Sequence, residues 1–362
     1  MTLHRDLWLG CFLAVALTAF LINASEAQEK DPALKGLEQA WSLDGAWTGV
    51  VSDGNKGVIY ALDQGGKCVE VDLTGKKRRE INIVQKEGGV VRLANLSRDG
   101  GKALLTFTTW GGDLRAYDLD GKQLWSYPRV TGIDDVWASD LDGDGSDEVI
   151  VGYNGGTGLH VLDSQGQLLW KSTAIGNVWH VSAGNVWGEG APQVVTTSAA
   201  GKVHVFGSDG KKRKDLDAAG CYANMVRVGK LSEKDKAATV LVAGSSLAGG
   251  ANPQTAILTA LSGDGAKKWS LELPAGTEPH IDSAYVALDK SWLAVGMRGG
   301  QVHVVDLEKG AIIASVSDQG MTPEVGWATS KDAGSPLLLV ATGRPDAIRG
   351  SKLNAFRVAK PK

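Results

Sequence analysis

Short runs of alternating apolar and polar residues, each closed by a glycine-bearing turn, recur along the chain and predict β-strands. The clearest form a twelve-residue phrase: LRAYDLDGKQLW at residues 114–125, LHVLDSQGQLLW at 159–170 and LTALSGDGAKKW at 258–269. Weaker copies begin at Cys68, Val203, Val302 and Leu353, so the starts are separated by 46, 45, 44, 55, 44 and 51 residues. Each copy reads as a hairpin in which an alternating run forms one strand, D-x-x-G reverses it, and a tryptophan anchors the outgoing strand. A period near 45 with this patterning predicts an all-β fold, a β-propeller in which each repeat is one four-stranded blade.

Seven copies predict seven blades. Eight is the alternative, with a divergent unit in the long interval between the fourth and fifth copies. The segment Trp41-Ser42-Leu43-Asp44-Gly45 matches the outgoing strands at Trp125 and Trp269, and the last copy leaves almost no chain for a fourth strand. Pairing the N-terminal strand around Trp41 with the C-terminal strand around Phe356 closes the ring and removes two exposed edges. The expected layout is a signal peptide over 1–27, a polar leader over 28–38, one propeller over 39–358 and a tail over 359–362. Within a blade, inner-to-second and third-to-outer turns share one face. Second-to-third loops and the crossings between blades share the other.

The 48 glycines against 10 prolines suit a protein of many tight turns, and 43% hydrophobic residues supply a large core. A net charge of −3 gives no global attraction to nucleic acid or anionic membrane. The run Lys211, Lys212, Arg213 and Lys214, and its counterpart over 76–79, read as solvated hairpin edges that discourage edge pairing. Arg5, the uncharged stretch over 7–22 and the small residues around Ala24 and Ala27 read as a secretory signal, which places the protein in the periplasm or outside the cell. A membrane attachment follows only if that segment stays uncleaved. Cys68 takes the place of leucine in other copies and reads as core. Cys221 falls far from it in the ring, so no disulfide is expected between them. A monomer is the expected state.

One loop carries chemistry of its own. Asp140, Asp142, Asp144, Ser146 and Glu148 lie in a D-x-D-x-D-G-x-x-E loop that runs into an apolar strand. Carboxylates at alternate positions converge when Gly145 permits the sharp turn, and hard oxygen ligands at this density suit a structural Ca²⁺, with the Ser146 carbonyl as a further donor. The next blade keeps the turn glycines over 185–193 but replaces most of the ligands. His160, His204 and His303 share one register of the phrase with Arg115, Thr259 and Asn354, which marks the position as structural. The tryptophans at 125, 170 and 269 read as wedges between blades.

His180 and His280 fall where crossings enter the ring, with Asp134, Asp135, Asp282 and Glu324 at comparable places. Trp110, Asn154, Arg298 and Arg344 belong to second-to-third loops on the same face. These ten residues form the candidate patch for a ligand or partner, because propeller sites lie where such loops ring the channel. No serine-nucleophile motif, phosphate loop or zinc spacing occurs.

The phrase L-x-A-L-D-x-x-G-x-x-x-W resembles the repeat of quinoprotein-type (PQQ-like) propellers over nearly all of residues 41–358, within the wider WD40-like shape. The acidic loop resembles the calcium loops of FG-GAP/VCBS-type repeats. In quinoprotein dehydrogenases the repeat surrounds pyrroloquinoline quinone and a central calcium, so the resemblance implies a quinone-dependent oxidoreductase as one activity. The vicinal cysteine pair of the alcohol-oxidising members is absent here. Non-catalytic relatives, among them a periplasmic scaffold lipoprotein, use the repeat for protein contacts. The leading expectation is a non-catalytic binding or scaffold propeller for a protein or a polar or carbohydrate ligand. The alternative is a PQQ-dependent or carbohydrate-active enzyme.

Overall fold

The computed structural model describes residues 34–83, 89–247, 255–274, 277–281, 285–286, 291–317, 319–320, 323–329, 335–342 and 351–359. The expected signal segment lies outside them. Seven antiparallel sheets form seven blades in a ring. Blade I comprises Trp47–Asp53, Val58–Asp63, Cys68–Asp72 and Lys77–Ile81. Blade II comprises Val90–Asn95, Lys102–Phe107, Leu114–Asp118 and Gln123–Tyr127. Blade III comprises Ile133–Ser139, Glu148–Tyr153, Leu159–Leu162 and Leu168–Ser172. Blade IV comprises Val178–Gly184, Gln193–Ser198, Val203–Phe206 and Lys212–Leu216. Blade V comprises Cys221–Gly229, Thr239–Ser246, Ala256–Leu261 and Lys267–Leu273. Blade VI is built on Thr277–Ile281, Ser291–Arg298, Val302–Asp306 and Ala311–Val316, with Tyr285–Val286 beside its second strand.

Blade VII closes the ring. Glu324–Ala328, Leu337–Ala341 and Lys352–Val358 supply three strands, and Leu37–Asp44 from the other chain end supplies the fourth. Gln39 pairs with Phe356 and Trp41 with Ala355. The polar leader expected over 28–38 ends earlier than that. Leu34–Lys35 adds a strand to the outer edge of blade VI, opposite Val316 and Ser315, and Leu37 is buried. The amide and carbonyl groups of that edge bond to whatever strand reaches them, whatever the local polarity.

The core lies between blades. In blade III, Val149 and Val151 pack against blade II through Phe107 and Leu114, while Ile150 packs against blade IV through Val194 and Phe206. Alternate side chains of one strand therefore enter different layers, and both faces are dry. This is why the second strands of blades III and IV are buried along their whole length, and why the outer strand of blade III, open on one side, is largely exposed.

Tryptophan locks one blade to the next. A Cβ on Gly75 would lie 2.7 Å from the Trp41 ring, and one on Gly166, Gly210 or Gly310 would lie 2.6, 2.7 or 2.6 Å from the rings of Trp125, Trp170 and Trp269. Each of these glycines lies at positive φ in the turn between the third and outer strands of the following blade. The indole Nε1 of Trp41, Trp125 and Trp269 then donates to a carbonyl of that turn: Leu73 at 2.9 Å, Ser164 at 3.0 Å and Leu307 at 2.9 Å. In two copies that lack the tryptophan, a cation takes the position. Arg79 donates to the Leu119 carbonyl at 2.8 Å and pairs with Asp120 at 2.7 Å, and Lys214 reaches the Asp264 carbonyl. The two basic runs thus lie on exposed outer strands, as expected, and also fill two junctions.

Gly166→Ala should cost about 2 kcal/mol, through positive φ and overlap with the indole. Gly155→Ala, at φ +70 with nothing within 4 Å, meets only the backbone cost. Denaturant melts of Gly166→Ala with and without Trp125→Ala should show a coupling on the order of 1 kcal/mol, because removing the ring relieves the overlap. Equal costs in both backgrounds would show that the indole does not require the glycine.

Candidate functional site

The inner strands begin at one end of the channel, and five of them begin with a break in register. The pairing shifts between Trp47 and Gly49, Ile133 and Asp135, Val178 and Val181, Ala223 and Met225, and Thr277 and Pro279. A bulge leaves residues unpaired and re-aims their side chains. The residues so released include Asp134, Trp179, His180 and Asn224, and all four line a basin of about 340 Å³ at the channel mouth. Arg92, Trp110, Asp135, His280 and Glu324 complete its polar and aromatic wall, over Phe107, Met225 and Pro279.

A chain of charged and polar contacts crosses this mouth. His280 Nε2 lies 3.0 Å from Glu324 Oε2, and Arg92 lies 3.6 Å from both Glu324 and Asp135. Asp135 also receives Arg227 Nη1 at 2.9 Å and faces His180 Nδ1 at 3.2 Å. Arg227 stacks 4.8 Å from the Trp137 ring and donates to the Val181 carbonyl. Burial alone would raise the Asp135 pKa, but Arg227, His180 and Arg92 together carry it far below the usual carboxylate range. Burial lowers that of His180, against the opposing pull of Asp135. Losing either end of such a chain strands a buried charge.

Asp134 is different. Burial pushes its carboxyl up to about 6, with a further push from Asp135 and an opposing one from its hydrogen bonds to Asn154 and Trp110. Trp110 adopts φ +62, a left-handed conformation that costs a non-glycine residue about 1 kcal/mol. It is held there by hydrogen bonds from its amide to Ile133 and from Arg129 to its carbonyl. The ring packs over Gly132, yet the residue remains 59% exposed.

Of the ten patch residues read from the sequence, Trp110, Asp134, Asp135, His180, His280 and Glu324 meet in this basin. Asn154 stands behind it, with Nδ2 3.4 Å from Asp134. Arg298 ends the second strand of blade VI, exposed and outside the basin. Asp282 and Arg344 lie outside the described residues. Asp135 and Glu324, read from the sequence as crossing residues, belong instead to inner strands and are 2% and 1% exposed. Sequence reading missed Arg92, Trp179, Asn224 and Arg227. The available signal was a charged residue inside an apolar inner strand, as in VVRLAN and NMVRVG.

At the other end of the same inner strand sits the acidic loop. Five residues separate Asp135 from Asp140, about 17 Å of extended chain. Carboxylate oxygens of Asp140, Asp142 and Glu148 lie within 4.8 Å of one another. Burial, reinforced by Asp142, Asp140 and Asp144, lifts Glu148 to about 7. Asp144 and Ser146 line the same hollow as Asp142 and Glu148, but the Asp144 carboxylate is bound to Arg98 at 2.7 Å and to the Ser146 hydroxyl at 2.6 Å. Blade II braces the loop, since the Asn95 amide donates to Asp147 and its Nδ2 to the Gly145 carbonyl, each at 2.7 Å. Blade IV makes the same turn with the neutral Asn185, Trp187 and Gln193 at the places of the triad, keeping Glu189 at the place of Asp144. Gln193 Oε1 accepts from the Val186 amide at 2.9 Å, as Glu148 Oε2 accepts from Leu141 at 2.7 Å.

The three histidines of the phrase are buried and satisfied. His160 Nδ1 bonds the Tyr127 hydroxyl, His204 bonds Asp215 and Ser198, and His303 bonds Ser315 at 2.8 Å. At the same register Thr259 bonds Ser270 and Asn354 bonds Gln319. The fold and this site define a seven-bladed β-propeller with a charged basin at its channel mouth.

Over residues 104–242, less than half of the chain, the sequence is similar to the family model of the lambda-carrageenase beta-propeller domain. No curated protein matches the chain. Solved structures of similar shape number 1274 chains, so the shape by itself selects no activity. One is the crystal structure of BBS1N in complex with ARL6DN, soaked with lead. It is 15% identical, with a TM-score of 0.60 over 91% of this chain and 98% of that one. At that identity the likeness shows the fold alone.

Burial lowers the pKa of His160, His204 and His303. The unfolded chain therefore binds more protons below about pH 6.5, and their contribution to stability, full above that value, is lost as pH falls through the folded values. His303→Thr recreates the Thr259–Ser270 pair of blade V with Ser315. Its melting temperature should fall less than that of the wild type between pH 7 and pH 5. An equal fall would mean that His303 does not titrate with unfolding.

Proposed function

We propose that the protein is a non-catalytic binding propeller, exported to the periplasm or the cell exterior, that holds a polar partner at its channel mouth. The basin carries the reading. Arg92, Asp135 and Glu324 of its lining are engaged in buried ion pairs, with Arg227 behind them, and no serine or cysteine lines it among the described residues. Fixed charges around a concave, aromatic-edged surface suit recognition and register more than turnover. A protein partner is supported by the presence of a similarly shaped propeller, BBS1N, in a protein complex. Export is supported by the N-terminal sequence, Arg5 followed by the uncharged stretch and small residues.

A glycan is the second reading. The similarity to the lambda-carrageenase beta-propeller domain spans Trp110, Asp134, His180 and Asn224. The basin lining sets one guanidinium against three carboxylates, which suits a neutral sugar and repels a sulfated one. The same balance weighs against pyrroloquinoline quinone, a polyanion, and the acidic triad sits at the opposite end of the strand. The residues present do not fit that cofactor.

The triad fits Ca²⁺. Oxygens each about 2.4 Å from one ion lie at most about 4.8 Å apart, and those of Asp140, Asp142 and Glu148 meet that limit. The ion would offset two of the three crowded negative charges and hold a turn of the FG-GAP/VCBS type.

Replacing Trp179 and Asn224 by alanine should reduce partner recovery from a native extract at least ten-fold with little change in melting. Lys211→Glu with Lys212→Glu, on an exposed turn, should leave recovery intact. The reverse result would move the working surface to the blade edge. For the metal, Ca²⁺ at a hundred times its Kd should stabilise the fold by about 2.7 kcal/mol. Asp140→Asn with Glu148→Gln, copying Asn185 and Gln193 of blade IV, should fold and lose that response. An undiminished response would remove the triad as the site.

A further inference from the structure

We propose that the corner of the mouth between Trp110 and Asp134 is a receptor for an organic cation, a primary or quaternary ammonium that ion-pairs with the Asp134 carboxylate and lies on the Trp110 indole. The inference rests on the mouth being the binding face and names the chemistry it selects. Asp134 is the unpaired residue of the bulge between Ile133 and Asp135, which aims its side chain into the basin. Its partners are the neutral donors of Asn154 and Trp110. No cationic side chain pairs with it among the described residues, while Arg92 and Arg227 are engaged by Asp135 and Glu324.

The aromatic half of the corner is as specific. Trp110 keeps a left-handed backbone and an exposed ring instead of folding into the core. A carboxylate beside a largely exposed indole attracts a cation twice, by charge and by the ring quadrupole. A neutral polyol would stack on the same ring but leave the carboxylate uncompensated. The rise of the Asp134 pKa with burial agrees with a group that lacks a positive neighbour until a ligand arrives.

The test is titration calorimetry on the full chain with butylammonium, tetramethylammonium, butanol, maltose and Nα-acetyl-lysine amide. Both ammonium ions should bind, and butanol at least ten-fold more weakly than butylammonium. Asp134→Asn, which retains an acceptor for Asn154 and Trp110, should weaken ammonium binding at least ten-fold. Trp110→Leu, at an exposed ring, is the second variant and should weaken it several-fold. Tighter binding of the lysine amide than of butylammonium would identify a side chain of a partner protein as the source of the cation; the reverse would identify a free amine. Equal binding of butanol and butylammonium, preference for maltose, or ammonium binding unchanged in Asp134→Asn would each overturn the proposal. If ammonium ions fail to bind while the Trp179 and Asn224 variant still loses its partner, the cation is wrong and the mouth stands. If that variant keeps its partner, the mouth itself is wrong.

Discussion

The ring depends on contacts in which an outer-strand indole occupies the space left by a missing Cβ in the next blade. The turn glycine at Gly75, Gly166, Gly210 or Gly310 therefore meets two demands at once, a positive φ and room for a ring. Neither demand can be met by another residue without moving two blades. The contact repeats around the circle and also joins the chain ends, since Trp41 of the closing strand seats on Gly75 of blade I. Closure is thus one more instance of the junction, made by residues far apart in sequence.

That rigidity lets each turn be held by different chemistry. In blade III a carboxylate accepts from the backbone at the turn, and in blade IV an amide does so with the same geometry. The blade IV version, with Asn185, Trp187 and Gln193 in place of the triad, keeps only Glu189 as a carboxylate and crowds no charge. The acidic version concentrates charge that only a cation or protonation relieves, so the difference between neighbours is one of electrostatics and not of shape.

The mouth is a second product of the same rigidity. Charged residues in inner strands would destabilise an isolated sheet, yet around the channel they neutralise one another from blade to blade. Such a network adds little net stability over an apolar filling but fixes the positions of the groups it joins. Asp134 stands outside the network beside a strained tryptophan, and this departure from an otherwise compensated surface separates the site from the scaffold.

The spacing of the phrase was enough to give seven four-stranded blades, the closing partnership of Trp41 with the C-terminal strand, and the structural role of His160, His204 and His303. All of these follow from local periodicity and from the need of every strand edge for a partner. Six of the ten patch residues were also legible, because turn order assigns each loop to a face. The rest required the tertiary structure. Bulges at the inner-strand entrances turn Asp134, Trp179 and Asn224 into the basin, and a register shift depends on how two strands meet, which neither strand records alone. Arg92 and Arg227 show in the sequence only as charges inside apolar strands, and their partners are not legible there. A buried charge is tolerable only beside its counter-charge, and Arg227 meets Asp135 from 92 residues away, across blades that the ring alone brings together.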